Sequence, residues 1–426
     1  MSYLPNIPML LAAGLTASVI LAPVRLGFFE VVRPTILVML PCLAGLFILE
    51  QRKVAQLLLG RLGFVAVLLG LLLTVGHLLG NDLATSEAEE NSTLSIEGIW
   101  VMIAVFIGGI IVAEPRYRSG VFVGLALGLV AHVVSLAMVP ASIDFRGYAR
   151  SSGMMKDPNI LLIHIIPVYF AWLCLLPKGR WLMLAPVGLV AVYWSTLQTL
   201  SRAGLISLLV GTALCVAPPV LASRRKLCNF RFVAAAAVVL MLLAAVCVGS
   251  RGAITERLEA YQLRSQERMD TQGSFLADRL IWLEDIQRIG VAGVLKPLGV
   301  GYDQFQSTDL LPHNTFVDVL VVAGPVALLL FCFLFGGVLW NAGACLWRRS
   351  GAELSPLFDG ACLAVTTTLF LMLVSLSVLP WKVNWLLLGL SIGLLRARYS
   401  TAVASDESEA EEMEPAIDPV IATDRV

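Results

Sequence analysis

Charge is what this chain has least of. Only 14% of its 426 residues are Asp, Glu, Lys or Arg, against 58% hydrophobic, and the mean hydropathy is +0.84. Water-soluble domains carry about 25% charged residues. So little polar surface cannot coat a globule in water, which excludes a soluble enzyme and a disordered chain alike. Net charge is missing too: 30 basic and 30 acidic residues cancel, so no nucleic-acid partner is expected. The eight cysteines form no CxxC pair; Cys42, Cys174, Cys215, Cys247, Cys332 and Cys362 sit within apolar stretches. Neither a disulfide scaffold nor a zinc site follows from that pattern.

What is present in quantity is apolar runs. A bilayer core needs roughly 20 apolar residues per helix. Twelve stretches qualify, near 7–23, 31–49, 57–79, 96–113, 119–139, 159–176, 181–199, 203–222, 232–249, 314–339, 358–379 and 381–396. The expected fold is all-α, a polytopic integral membrane protein. The first run lacks a basic leader and a cleavage site, so it is expected to stay as a helix. The expected organisation is transmembrane helices 1–9 over 1–249 and a large external loop with amphipathic helices over 250–312. Transmembrane helices 10–12 follow over 313–399, and a disordered acidic tail over 400–426.

Orientation follows from the Lys/Arg distribution. With the N-terminus inside, the cytoplasmic loops hold fourteen basic residues. These are Arg52, Lys53, Arg116, Arg118, Lys178, Arg180, Arg224, Arg225, Lys226, Arg231, Arg348, Arg349, Arg396 and Arg398. The same loops hold three acids, Glu50, Glu114 and Glu353, whereas the segment from Asp82 to Glu90 opposite is acidic. Both termini are therefore expected in the cytoplasm. The tail holds eight acids and one Arg, so the zero net charge conceals a basic membrane domain.

Two translocated loops break the positive-inside rule. One, 140–158, carries Arg146, Arg150 and Lys156; the long one carries Arg251, Arg257, Arg264, Arg268, Arg279, Arg288 and Lys296. Nine acids accompany the second set, so a solvated, salt-bridged amphipathic helix pair accounts for many of these arginines as readily as a site does. Leu276, Leu280 and Leu283 stand at helical spacing and suit a surface helix. Arg202 is different. In Thr199-Leu200-Ser201-Arg202-Ala203-Gly204 it joins two apolar runs with almost no loop, so the charge stands at the membrane boundary as an interfacial anchor or as an anion ligand. A cation there is costly unless paired, snorkelled or used, and guanidinium suits phosphate oxygens.

There are four histidines. His132 and His164 lie inside apolar helices and read as packed or hydrogen-bonded; His77 lies near a helix end. His313, in Leu311-Pro312-His313-Asn314, ends the long loop and opens the tenth helix, where a neutral imidazole suits general-base work. Upstream, Pro297-Leu298-Gly299-Val300-Gly301-Tyr302-Asp303-Gln304-Phe305 follows no strand and is not a dinucleotide fingerprint.

In this order and spacing, several pieces resemble the O-antigen ligase and O-antigen polymerase family of bacterial envelope glycosyltransferases. They are Ser201-Arg202-Ala203-Gly204, Arg279 with Trp282, Pro297 to Phe305 as a "PlfGvGxxxF"-like stretch, and His313-Asn314 followed after nine residues by Gly324. A looser match is Arg150-Ser151-Ser152-Gly153 with Asp157-Pro158-Asn159. The resemblance spans about 146–327. The ligase signature usually continues G-x-x-(G/T/Y), whereas Pro325, Val326 and Ala327 follow Gly324 here, leaving ligase and polymerase both open.

The resemblance implies transfer of a glycan from undecaprenyl diphosphate to a lipid A-core or glycan acceptor. The transfer would be inverting, metal-independent and cofactor-free, on the periplasmic face of the bacterial inner membrane. Arg202 and Arg279 would hold the diphosphate and His313 would orient or deprotonate the acceptor hydroxyl, making these three the expected catalytic set. Arg146, Arg150, Asn314, Gly299 and Gly301 are the expected substrate-binding set. Membrane lipids are the remaining expected partners. A transporter is the alternative from another class, but no half-to-half repeat is visible.

Overall fold

The computed structural model describes residues 6–22, 34–81, 96–143, 149–155, 157, 158–177, 179–222, 259, 262–263, 266, 296–301, 314–347, 356–376, 379 and 381–413. Six helices come first: α1 (Ile7–Leu21), α2 (Pro34–Leu49), α3 (Gln51–Leu59), α4 (Arg61–Asn81), α5 (Ile96–Val112) and α6 (Arg118–Met138). A two-residue antiparallel ladder, β1 (Ser142–Ile143) with β2 (Ala149–Arg150), pairs Ser142 with Arg150. Then come α7 (Pro158–Ile163), α8 (Ile166–Cys174), a 3₁₀ turn (Gly179–Met183), α9 (Leu184–Thr199) and α10 (Arg202–Ala222). The last three described helices are α11 (Thr315–Trp347), α12 (Pro356–Ser375) and α13 (Lys382–Met413).

Eleven of the twelve apolar stretches are helical, and the ninth, 232–249, lies outside the described residues, as does nearly all of the 250–312 loop. Among the described residues four helices are long and apolar enough to cross a membrane: Arg61–Leu78, Arg118–Met138, Trp181–Thr199 and Thr315–Ala344. A fifth span results if Thr35–Leu49 and Gln51–Leu59, bent by 89°, count as one. Among the rest, α1 and α5 are shorter, at 15 and 17 residues. The 159–176 stretch is split at His164 and Ile165, because Pro167 has no N–H to return to the preceding turn and its ring crowds that turn's carbonyl.

Small residues bring the helices together, which is how packing is won where lipid is as apolar as the side chains. Gly120, Gly124 and Gly128 line one stripe of α6 against α1. A methyl group on Gly120 would fall 2.2 Å from the Met9 carbonyl oxygen, and one on Gly124 2.7 Å from that of Ala13. Likewise a methyl on Gly389 of α13 would fall 2.1 Å from the Phe106 carbonyl of α5. Leu127, Val130, Val134 and Met138 form a second, exposed stripe on α6, the apolar face a bilayer covers. Gly124→Leu is expected to separate α1 from α6 at a cost of about 1–3 kcal/mol, as overpacking does. A clear fall in the thermal unfolding midpoint in detergent checks this, and an unchanged midpoint contradicts it.

One boundary differs from expectation. The last helix runs on to Met413 rather than ending near 400, through part of the tail expected to be disordered. Ala402, Ala404, Ala410, Glu407, Glu409, Glu411 and Glu412 favour helix, and neither Gly nor Pro interrupts until Pro415.

Candidate functional site

The site builds from two backbone corners. At the first, α9 turns directly into α10. Leu200 closes α9 in the left-handed region, at φ 51° and ψ 32°, the only non-glycine residue with positive φ among those described. That conformation costs a leucine energy and persists only where the surroundings enforce it. Ser201 then caps α10: its hydroxyl oxygen accepts from the Gly204 N–H at 3.2 Å. The cap fixes Arg202 as the first helical residue, half-buried at the end of the bundle. Gly204 allows α7 to close in, since a methyl there would fall 2.1 Å from Leu162 Cδ1.

Arg150 braces this corner. Its Nε donates to the Thr199 carbonyl oxygen at 2.9 Å, an acceptor that the end of α9 leaves without a helical partner, and its Nη2 donates to Asn159 Oδ1 at 3.2 Å. The Ser151 N–H donates to the Gln198 carbonyl at 3.0 Å. Asp157 caps α7, accepting from the Asn159 N–H at 2.6 Å. Gly153 adopts φ 56°, and a methyl on it would strike Ser135 Oγ at 2.4 Å. The R-x-x-G and D-P-N pieces are thus a brace and a cap, and they hold Arg150 beside the corner that carries Arg202.

The second corner is a break inside α11. Gly324 has φ 83° and ψ 177°, a region open only to glycine, and Pro325 follows. Proline has no N–H for the Val321 carbonyl and the break displaces the donor for Val322. The glycine-rich loop supplies replacements. The Val300 N–H donates to the Val321 oxygen at 2.7 Å and the Gly301 N–H to the Val322 oxygen at 3.2 Å. Gly299 and Gly301 have φ 72° and 81°. The approach leaves no room for side chains: methyl groups on Gly324 and Gly299 would fall 2.3 Å from the Pro297 oxygen and 2.4 Å from the Val322 oxygen. Gly76 of α4 packs on the same break, its would-be methyl 2.4 Å from the Val322 oxygen.

Side-chain contacts extend from the first corner and anchor the start of α11. Asn159 and Ile160 open α7; the Ile160 carbonyl lies 3.0 Å from His164 Nδ1, and the His164 ring meets the Trp381 ring edge-on at 5.6 Å. Five residues before Trp381, the Leu376 carbonyl accepts from the Thr315 hydroxyl at 2.7 Å, at the start of α11. Asn314 caps that helix, its Oδ1 accepting from the Phe316 N–H at 2.9 Å. His132, whose Nε2 lies 3.1 Å from the Ile20 carbonyl, packs 5.7 Å from His164. Both histidines are buried, as their apolar setting predicts.

The structure thus joins Arg150 to the corner that carries Arg202, seats the Gly299 and Gly301 loop on the α11 break, and places Asn314 as the cap at the start of α11. Asn314, Gly299 and Gly301, expected to bind substrate, have the groups seen here committed to capping and to closing the α11 break, so their visible work is positioning. His313, Arg279 and Arg146 lie outside the described residues. Sequence reasoning missed Gly76 and the Val321 and Val322 carbonyls. The signal was Gly324-Pro325, which exposes carbonyls wherever it interrupts a helix. No protein-family model matches the chain, and no curated protein matches it either.

Proposed function

We propose that this chain is a membrane glycosyltransferase of the O-antigen ligase type. It moves a polysaccharide from undecaprenyl diphosphate to a lipid A-core or similar acceptor at the periplasmic face of the inner membrane. In this reading the chain crosses the bilayer twelve times with both termini in the cytoplasm, and the 250–312 loop roofs the site. The Arg150 brace on the corner that presents Arg202 carries the proposal. It joins two motif segments far apart in sequence at the corner where a lipid-linked diphosphate would present its charge.

The chemistry asks for little. A diphosphate leaves well once its charge is met, so fixed guanidinium groups serve where other transferases use a metal ion. Arg202 and Arg279 neutralise the leaving diphosphate, Arg150 holds the Arg202 corner, and His313 takes the acceptor's proton as its oxygen attacks the anomeric carbon from the opposite face. The departure at Pro325-Val326-Ala327 favours one second reading, a polymerase that joins lipid-linked repeat units.

Deletion of the gene followed by gel analysis of lipopolysaccharide separates these readings. Complete loss of polymer on the lipid core, with lipid-linked polymer accumulating, is the expected result. A single-repeat product means polymerase. Unchanged envelope glycans with an altered uptake or export phenotype mean transport and refute the proposal.

A further inference from the structure

The short helix α3 carries no buried residue at all. It leaves α2 at 89°, turns at Glu50, and ends at Gly60 where α4 begins. Arg52, Lys53 and Gln56 share one arc of its surface; Ala55, Leu58 and Leu59 share the other, with Leu59 88% exposed. Val54 and Leu57 lean on the core.

The attitude of α3 is fixed from below. The buried Glu50 carboxylate accepts from the Tyr117 hydroxyl at 2.6 Å and pairs with Arg116. Lys53 Nζ reaches both Glu114 oxygens at 2.7 and 2.6 Å. Burial raises the Tyr117 phenol above its ordinary pKa, Arg116 opposing and Glu114 adding to the effect, so the phenol stays a donor. These bonds pin the α2–α3 corner to the turn between α5 and α6 and stop α3 from swinging into line with α2.

We propose that α3 is an interfacial helix, seated in the anionic headgroup layer with Leu58 and Leu59 in the acyl boundary and Arg52 and Arg61 on lipid phosphates. A helix nearly perpendicular to a membrane-crossing neighbour lies along the bilayer surface, and an apolar arc flanked by arginines is complementary to that surface in both polarity and charge. The inference rests on α2 and α4 crossing the membrane, not on glycosyl transfer. The basic loops around α3 assign this surface to the cytoplasmic leaflet.

The test uses the full chain in nanodiscs of phosphatidylglycerol or phosphatidylcholine, with a nitroxide attached through a ketone-bearing residue at position 56, 58 or 59. Labels at 58 and 59 are expected to meet oxygen in preference to a nickel chelate, and the label at 56 the reverse. Arg52→Glu with Arg61→Glu is expected to lower the docking equilibrium constant about fivefold for each arginine, and only in the anionic discs. Three outcomes overturn the proposal. These are nickel access at 58 and 59 equal to that at 56, exclusion of both colliders from 58 and 59 (as a second protein chain would cause), and equal docking in both lipids. The discs are symmetric and no transfer is measured, so neither the leaflet assignment nor the enzymatic reading decides the result.

Discussion

Replacing His313 by alanine is expected to lower glycan transfer by about 10²–10⁴-fold, the usual contribution of a positioned general base. In the proposed transfer the acceptor would be a sugar hydroxyl, far too weak an acid to ionise at neutral pH, so its proton would have to leave as the new bond forms. Imidazole is the side chain whose ordinary pKa suits that task, and of four histidines two are packed and bonded inside the bundle. His313 immediately precedes Asn314, whose side-chain cap on α11 fixes how the chain enters that helix. Transfer is measured with isolated lipid-linked donor and acceptor, alongside the amount of protein in the membrane. Loss of transfer at an unchanged amount supports the assignment. Near-normal transfer removes His313 from the scheme.

Gly324→Ala is expected to be as damaging by a different route. Alanine at φ 83° and ψ 177° is strained by about 1–3 kcal/mol, and its methyl would meet the Pro297 carbonyl at 2.3 Å. Relief requires the 297–301 loop to withdraw, which strips the Val321 and Val322 carbonyls of their donors at about 1–3 kcal/mol each. Within a bilayer no water repairs that loss. Reduced heat stability together with lost transfer is the expected outcome. Gly337→Ala, on the same helix but with nothing within 4 Å of its would-be methyl, should change neither. Equal tolerance at the two glycines would show that the loop does not seat on the break.

These two predictions mark what was legible in the sequence. The helices were readable because an apolar run of sufficient length has few other fates, and Arg202 stood out because a charge between two such runs must be accounted for. The glycine motifs were visible as letters but not as geometry. Nothing in Gly299-Val300-Gly301 announces that its N–H groups serve carbonyls of a helix more than twenty positions onward, because backbone hydrogen bonding across the fold leaves no side-chain pattern. Arg150 is a related case. Its type suggested phosphate, while its visible partners, the Thr199 carbonyl and Asn159, are settled by where α9 ends. The 89° turn at Glu50 was hidden because Glu50, Arg116 and Tyr117 are distant in sequence and none is unusual alone.

The break in α11 also bears on the order in which the protein is made. Residues 297–301 leave the ribosome before 321–325, so the donors for the interrupted helix already exist when that helix emerges. The helix need not wait with exposed carbonyls for a later segment to arrive. A chain with these two pieces in the opposite order would have to hold a half-satisfied helix in lipid throughout the delay. Synthesis from N- to C-terminus therefore makes this interruption tolerable during biogenesis as well as in the finished fold.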